Sequence, residues 1–249
     1  NVTIGDRKVP GNQLKWSVFH DFPAQKMYAN MQENVFPFIK NLHGDKESAY
    51  AKYMGDAIFK VPTPVMLDKI VTAMDEIYEK MEQLRSEDVR GDIYEYLLSK
   101  LATAGVNGQF RTPRHIIKMM VEMMDPSSDE VICDPACGTG GFLATSYEYL
   151  LEKYSSLESI HTEIGTNERG ELEEQKIFTG DLLTPWRNHV DNNMFHGYDF
   201  DTTMLRIAAM NLIMHGVEAP DIHYQDTMSQ SFSTNFPQAS KNAFNLILA

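Results

Sequence analysis

Three aspartates and one glycine-rich turn are the residues of this chain whose types and spacing could do chemistry. Asp134 is followed by Pro135-Ala136-Cys137-Gly138-Thr139-Gly140-Gly141, and Asp199 and Asp226 each close a short apolar run. Glycines at 138, 140 and 141 let the backbone take positive φ and come close to a ligand. A helix starting just beyond them would aim its free N–H groups at that ligand. A side chain added at Gly140 is therefore expected to enter the ligand's space. Two ligand types compete for such a cradle. A dinucleotide fingerprint needs Gly or Ala at position 143, which is Leu143, and a carboxylate ahead of the glycines would repel a pyrophosphate. A carboxylate there suits a cofactor carrying positive charge, such as the ammonium of S-adenosylmethionine, through a charge-assisted hydrogen bond. A glycine turn in an unrelated α/β protein is the alternative reading.

Other chemistries find little support. The sequence has no H-E-x-x-H pair, no G-x-x-x-x-G-K-[ST] phosphate loop and no G-x-S-x-G elbow. Its two cysteines, Cys133 and Cys137, are too few for a disulfide framework or a four-cysteine zinc site, and both read as packing residues. No metal site is expected. A cysteine nucleophile in a Pro-Cys pair is also unsupported, because Cys137 follows Ala136.

The elements that must position these residues can be read from apolar spacing. Val131-Ile132-Cys133 is a buried-strand run stopped by Asp134-Pro135, since Pro cannot donate to a sheet ladder. A helix is expected from Phe142 through Tyr147, Leu150 and Leu151 to about Tyr154. Residues 155–192 are polar and turn-rich, which predicts irregular surface structure. Met194–Asp201 reads as a second strand, with Asp201 capping a helix that carries Met204, Ile207, Ala208, Leu212 and His215 and stops at Gly216. Ile222–Tyr224 is a third strand, before Asp226, and Phe244–Leu248 a fourth. Ligands of a parallel sheet wound with helices bind at the carboxyl ends of its strands, so Asp134, Asp199 and Asp226 point to one site. Asp199, in a G-x-D-x-D run, could accept from both ribose hydroxyls of an adenosyl group.

Residues 1 to about 107 lack strand-like alternation and show helical stripes: Leu14, Val18, Phe22; then Met27, Met31, Val35, Ile39; then Val65, Met66, Ile70, Met74, Ile77, Met81. Methionine at this spacing is read as core filler. A further helix is expected over Gly91–Ala104, followed by a loop leading to a helix with Thr112 as N-cap and Pro113 at the first helical position.

Asp134-Pro135-Ala136-Cys137-Gly138-Thr139-Gly140-Gly141-Phe142-Leu143 resembles the first cofactor motif of the amino-group DNA methyltransferases, and most of all that of modification (M) subunits of type I restriction-modification systems. Gly108-Gln109-Phe110-Arg111-Thr112-Pro113 resembles the G-Q-F/Y-x-T-P element with which that family holds the methionine end of the cofactor. The resemblance implies an α/β fold: a Rossmann-like S-adenosylmethionine-dependent methyltransferase core over residues 89–249, preceded by a helical domain over residues 1–88. It implies S-adenosyl-L-methionine held by Gly108, Gln109, Phe110, Arg111, Thr112 and Pro113, by Asp134, Pro135, Gly138, Thr139, Gly140 and Gly141, by Asp199, and by Asp226 at the adenine ring. The implied reaction is methyl transfer to N6 of adenine in duplex DNA, with the base flipped out of the stack. Transfer to cytosine N4 and a non-catalytic binding module are the alternatives. The implied partners are DNA, a specificity (S) subunit, a restriction (R) subunit and a second M subunit.

The balance of 22 basic and 35 acidic residues, net charge −13, argues against this chain alone gripping a long stretch of DNA, because duplex affinity comes from neutralising phosphates. No apolar run approaches the roughly 20 residues that span a bilayer, and a cytoplasmic protein is expected. The family's [N/D/S]-P-P-[F/Y] loop follows its fourth strand, yet no Pro-Pro pair occurs among the 249 residues. The core is therefore expected to be incomplete at the C-terminus, with catalytic residues beyond Ala249 and no activity in these residues alone.

Overall fold

Val2–Ile4 (β1) and Arg7–Val9 (β2) form an antiparallel hairpin, which corrects the expectation of a purely helical N-terminal region. The turn is Gly5-Asp6, and Gly5 supplies the positive φ of 58° that a tight hairpin needs. Strands of three residues are too short for alternation to register. In this computed structural model, which describes residues 1–40, 58–84, 112–166 and 172–249, the chain divides into units at residues 1–83 and 84–249. The helix expected at Gly91–Ala104 lies outside the described residues.

The first unit continues with short helices Trp16–Phe19 (α1), Ala24–Asn30 (α2) and Phe36–Lys40 (α3), and a longer one at Pro64–Leu84 (α4). A π-helical turn, Met31–Val35, joins α2 to α3. Its cause is Pro37, which has no N–H to give the carbonyl four residues back and whose ring crowds it. That carbonyl, on Glu33, is taken instead by the Arg7 guanidinium at 2.8 Å. Phe19, Met27, Val35, Leu67 and Val71 form the core, with Leu14, Phe22, Met31 and Ile39 packed around it. Methionine as core filler is thus seen at Met27. The face of α4 is not the one expected: Leu67 and Val71 are buried, whereas Val65, Met66 and Ile70 are exposed. Asp75 fixes that rotation by accepting from Trp16 Nε1 at 2.9 Å and meeting His20 Nδ1 at 3.2 Å.

The second unit is built on four parallel strands, Ile132–Asp134 (β3), Phe195–Asp199 (β6), Asp221–Tyr224 (β7) and Leu246–Ile247 (β8), in the order β7-β6-β3-β8. In chain order this is third, second, first, fourth, so the direction of winding reverses between β3 and β8. Helices Arg114–Met124 (α5), Gly141–Lys153 (α6) and Thr202–Met214 (α8) flank the sheet sequence. Residues 155–192 are more regular than expected: His161–Thr166 (β4) and Leu172–Ile177 (β5) pair as an antiparallel hairpin, followed by a 3-10 turn at Asp181–Trp186 and a helix at Arg187–Asn192 (α7). A separate two-stranded hairpin need not bury one face, so its sequence carries no apolar alternation. Ile164 on β4 is exposed. A short helix, Phe232–Asn235 (α9), completes the unit.

Gly197 is the tight point where β6 meets the turn after β3. A Cβ there would lie 2.6 Å from Ile222 Cδ1 and 3.1 Å from Cys137 Sγ. Gly197→Ala is expected to cost about 1–3 kcal/mol through overpacking, measured as a lower urea midpoint at unchanged m.

Candidate functional site

The site starts at Asp134, the last residue of β3. Pro135 and Ala136 turn the chain, and Ala136 N donates to Asp134 Oδ1 at 3.1 Å. Gly138 (φ 51°) and Gly140 (φ 78°) both take the left-handed conformation that a side chain would strain. Gly140 N donates to the Cys137 carbonyl at 2.7 Å, and the carbonyl of Gly140 then accepts from Ala144 N as α6 begins. The expected strand, turn and helix are all present, and Gly140, as the N-cap, stands one residue before the helix.

The turn is tied to the neighbouring strand at two points, and the Asp199 carboxylate that makes one of them is itself held by Asp201 N. Cys137 N donates to the Tyr198 carbonyl at 2.9 Å, Gly138 N donates to Asp199 Oδ2 at 3.0 Å, and Asp201 N donates to Asp199 Oδ1 at 2.8 Å. Both Asp199 oxygens thus hold backbone; each keeps a second lone pair for a ligand. Asp201 caps α8 as expected, accepting from Thr203 N at 2.7 Å. The loop beyond β7 joins the same end of the sheet, because Thr227 Oγ1 donates to the Pro135 carbonyl at 3.0 Å. Asp226 is exposed there, its Oδ1 accepting from Met228 N at 2.9 Å. The three acids therefore stand at the carboxyl ends of three adjacent strands, β7, β6 and β3.

Their electrostatics are unbalanced. Burial, assisted by the charge of Asp199, raises Asp134 to about 7 although the Ala136 N–H opposes the shift. Among the described residues no cationic side chain bonds Asp134 or Asp199. Burial also raises the thiols, Cys133 to about 12 and Cys137 further, with nearby aspartates adding to the effect. Both are buried packing residues, as expected.

Of the upstream element, Gly108, Gln109, Phe110 and Arg111 lie outside the described residues. Thr112 and Pro113 precede α5, but Thr112 is not its cap. Pro113, at ψ 139°, takes the N-cap position with no side-chain hydrogen bond, and its carbonyl accepts from Ile116 and Ile117. The helix starts one residue later than expected because Pro113 itself is extended. Ile117 lies 3.2 Å from where a Cβ on Gly141 would sit, so the start of α5 packs on the start of α6.

The surroundings of the two left-handed glycines differ. A Cβ on Gly140 would point at Ala208 of α8, 3.4 Å away, whereas one on Gly138 meets nothing within 4 Å. Open space lies beside Gly138. Sequence reading missed one contributor, Asn211, whose Nδ2 donates to the Thr139 carbonyl at 3.0 Å. An amide within the apolar run from Ile207 to Met214 was the signal available. A cavity of about 630 Å³ lies elsewhere, lined by Arg114, Lys118, Thr145, Glu148 and His215 among others. None of the turn residues or the three acids borders it, and Arg114 and Glu148 pair within it at 2.9 Å.

A family described as N-6 DNA Methylase matches residues 85–249. The chain is 28% identical over 210 residues to the Type I restriction enzyme EcoEI methylase subunit of Escherichia coli, covering 82% of this chain and 37% of that protein. It is 29% identical to the StySPI methylase subunit of Salmonella potsdam over 74% of this chain and 32% of that one. The chain thus spans about a third of the length of these curated relatives. Its fold matches a modification subunit of a putative type I restriction enzyme from Vibrio vulnificus YJ016 (TM-score 0.53, 24% identity, 77% of this chain and 34% of that chain). It also matches the type I restriction-modification methyltransferase subunit from Streptococcus thermophilus (TM-score 0.55, 19% identity, 91% and 42%).

Proposed function

This chain belongs to the N-6 DNA methylase family, and from that premise we propose that it is the cofactor-binding portion of a type I modification subunit that uses S-adenosyl-L-methionine. One observation carries the cofactor assignment. Asp134 and Asp199 meet at one glycine turn, at the carboxyl ends of adjacent parallel strands, with no cationic side chain bonded to either among the described residues. A ligand with a positive charge relieves that repulsion, whereas a pyrophosphate aggravates it.

S-adenosyl-L-methionine, when bound, supplies the methyl group on its sulfonium. The chain's residues bind and orient. Asp134 receives the ammonium end, the backbone at Gly138 to Gly141 lets the ligand approach, Asp199 accepts from the ribose hydroxyls, and Asp226 serves the adenine end. The element from Gly108 to Pro113, by its resemblance to the family's G-Q-F/Y-x-T-P motif, serves the methionine end of the cofactor. Residues 89–249 are the methyltransferase portion and residues 1–88 the mainly helical portion, which opens on the β1–β2 hairpin. The whole protein methylates N6 of adenine in duplex DNA, together with specificity, restriction and second modification subunits, in the cytoplasm. Among the described residues no helix is long and apolar enough to cross a membrane. The 249 residues by themselves hold cofactor without transferring methyl, because they include no Asn/Asp-Pro-Pro-aromatic loop to hold the target amino group.

Titration calorimetry tests this reading with S-adenosylmethionine and, as comparator, NAD. Saturable binding of the first and none of the second is expected; the reverse result would overturn the assignment. Tritiated cofactor with unmethylated duplex DNA then tests transfer, and incorporation by these residues alone would show that their catalytic groups had been missed.

A further inference from the structure

Asn211 is completely buried in α8, between Leu212 and the apolar turn that carries Leu205, Ala208 and Ala209. Its Nδ2 donates to the Thr139 carbonyl, but its Oδ1 is buried without a partner among the described residues. A buried amide with half its hydrogen bonding unmet is a poor way to pack a helix, and leucine of similar shape would leave no such oxygen. The orientation of the amide is nevertheless forced, because turning it over would set oxygen against oxygen at Thr139.

The surroundings show what the bond controls. Ala208, one turn earlier on the same face of α8, is the atom group against which a Cβ on Gly140 would press. Four residues later, His215 lies close to Asn211 O (Nδ1, 2.8 Å) and to Glu148 Oε1 on α6 (Nε2, 3.4 Å). Glu148 also accepts from Arg114 Nη2 at the first residue of α5. Residues 208, 211 and 215 therefore form the stripe by which α8 is set against α6 and its leading turn. Thr139 stands between the two left-handed glycines, 138 and 140, so its carbonyl is the point at which that stripe grips the turn.

We propose that Asn211 is a positioning residue for cofactor binding, which holds the Thr139 peptide so that Gly138, Gly140 and Gly141 keep the backbone conformation presented to the ligand. This rests on the reading of the turn as the S-adenosylmethionine cradle. The residue touches no ligand itself; it acts through the turn.

The test uses Asn211→Leu and Asn211→Asp in the whole protein, with three readouts: ligand-free thermal midpoint, S-adenosylmethionine affinity, and amide hydrogen exchange of the ligand-free peptide spanning 138–141. Asn211→Leu is expected to leave the midpoint within about 3 °C of the parent. Its affinity should fall about tenfold, and exchange at the turn should quicken by a similar factor, as for one lost hydrogen bond. Asn211→Asp keeps the shape but sets a carboxylate against the Thr139 carbonyl, and it should lose more affinity than Asn211→Leu. Unchanged affinity and unchanged exchange in both variants would overturn the proposal. So would a loss of affinity that merely follows a large fall in the midpoint with exchange rising over the whole chain. Failure of the parent to bind S-adenosylmethionine would instead remove the functional reading, while exchange at 138–141 would still decide whether Asn211 holds the turn.

Discussion

Asp134→Asn is expected to stabilise the ligand-free protein at pH 7.5 while removing most of its affinity for S-adenosylmethionine. Asp134 is 2% exposed, and burial first, then the charge of Asp199, lifts its carboxyl to about 7. The unfolded chain titrates this group at its ordinary value of 3.8. Between those values the folded state binds the proton and the unfolded state does not. Stability from this group is therefore greatest below the unfolded value and declines as pH rises through the folded one. With the shift taken at about 1.4 kcal/mol per unit, the decline reaches roughly 4 kcal/mol above pH 7. Asparagine carries no charge to desolvate and keeps an oxygen for the Ala136 N–H. The gain should appear as a midpoint rise of about 5–10 °C at pH 7.5, narrowing toward pH 5. Affinity moves the other way. A cationic ligand favours the ionised acid, so parent affinity should climb between pH 5.5 and 7, whereas the Asn variant binds at least about 100-fold more weakly and without that slope. Equal affinities for the two proteins at pH 7.5 would mean that Asp134 does not face the cofactor.

The second large effect is expected at Asp199→Ala, read against Asp201→Ala. Asp199 accepts from Gly138 N and Asp201 N, so its carboxylate clamps the glycine turn to the loop beyond β6 and is also the acceptor assigned to ribose. Alanine strands both N–H groups, each loss being worth about 1–3 kcal/mol. Part of the lost stability returns because Asp134 no longer feels a neighbouring charge. Affinity has no such compensation and should fall about 100-fold or more, as when two charged acceptors are lost together. Among the described residues the Asp201 carboxylate accepts from the Thr203 N–H at the head of α8. Its replacement should cost about 1 kcal/mol of stability, as for other helix caps, with affinity within about threefold. Calorimetry and urea unfolding on both variants decide the matter, and equal affinity losses would show that the ribose acceptor has been misassigned.

Strands, turn and acids were legible because their signals are local. A strand buried on both faces is a short unbroken apolar run, as at Ile132-Cys133, and a following Pro marks where it stops. Left-handed backbone at 138 and 140 is legible in the same way, since few residues other than glycine adopt it at low cost. The hairpins at Val2–Val9 and His161–Ile177 were not: strands of three residues are too short for alternation to register although Ile4 and Val9 are buried, and the second hairpin leaves an apolar residue, Ile164, exposed. A helix with apolar residues on several sides does not say which it buries: on α4 the choice of Leu67 and Val71 over Met66 and Ile70 was made by what packs there and by Asp75. The sequence by itself determined which residues could hold a charged cofactor. Only the tertiary structure decided that β7, β6 and β3 lie side by side, that residue 140 faces Ala208, and that Asn211 holds Thr139 across 72 positions of chain. Those are pairings between distant segments, and their free energy exists only once the segments have met.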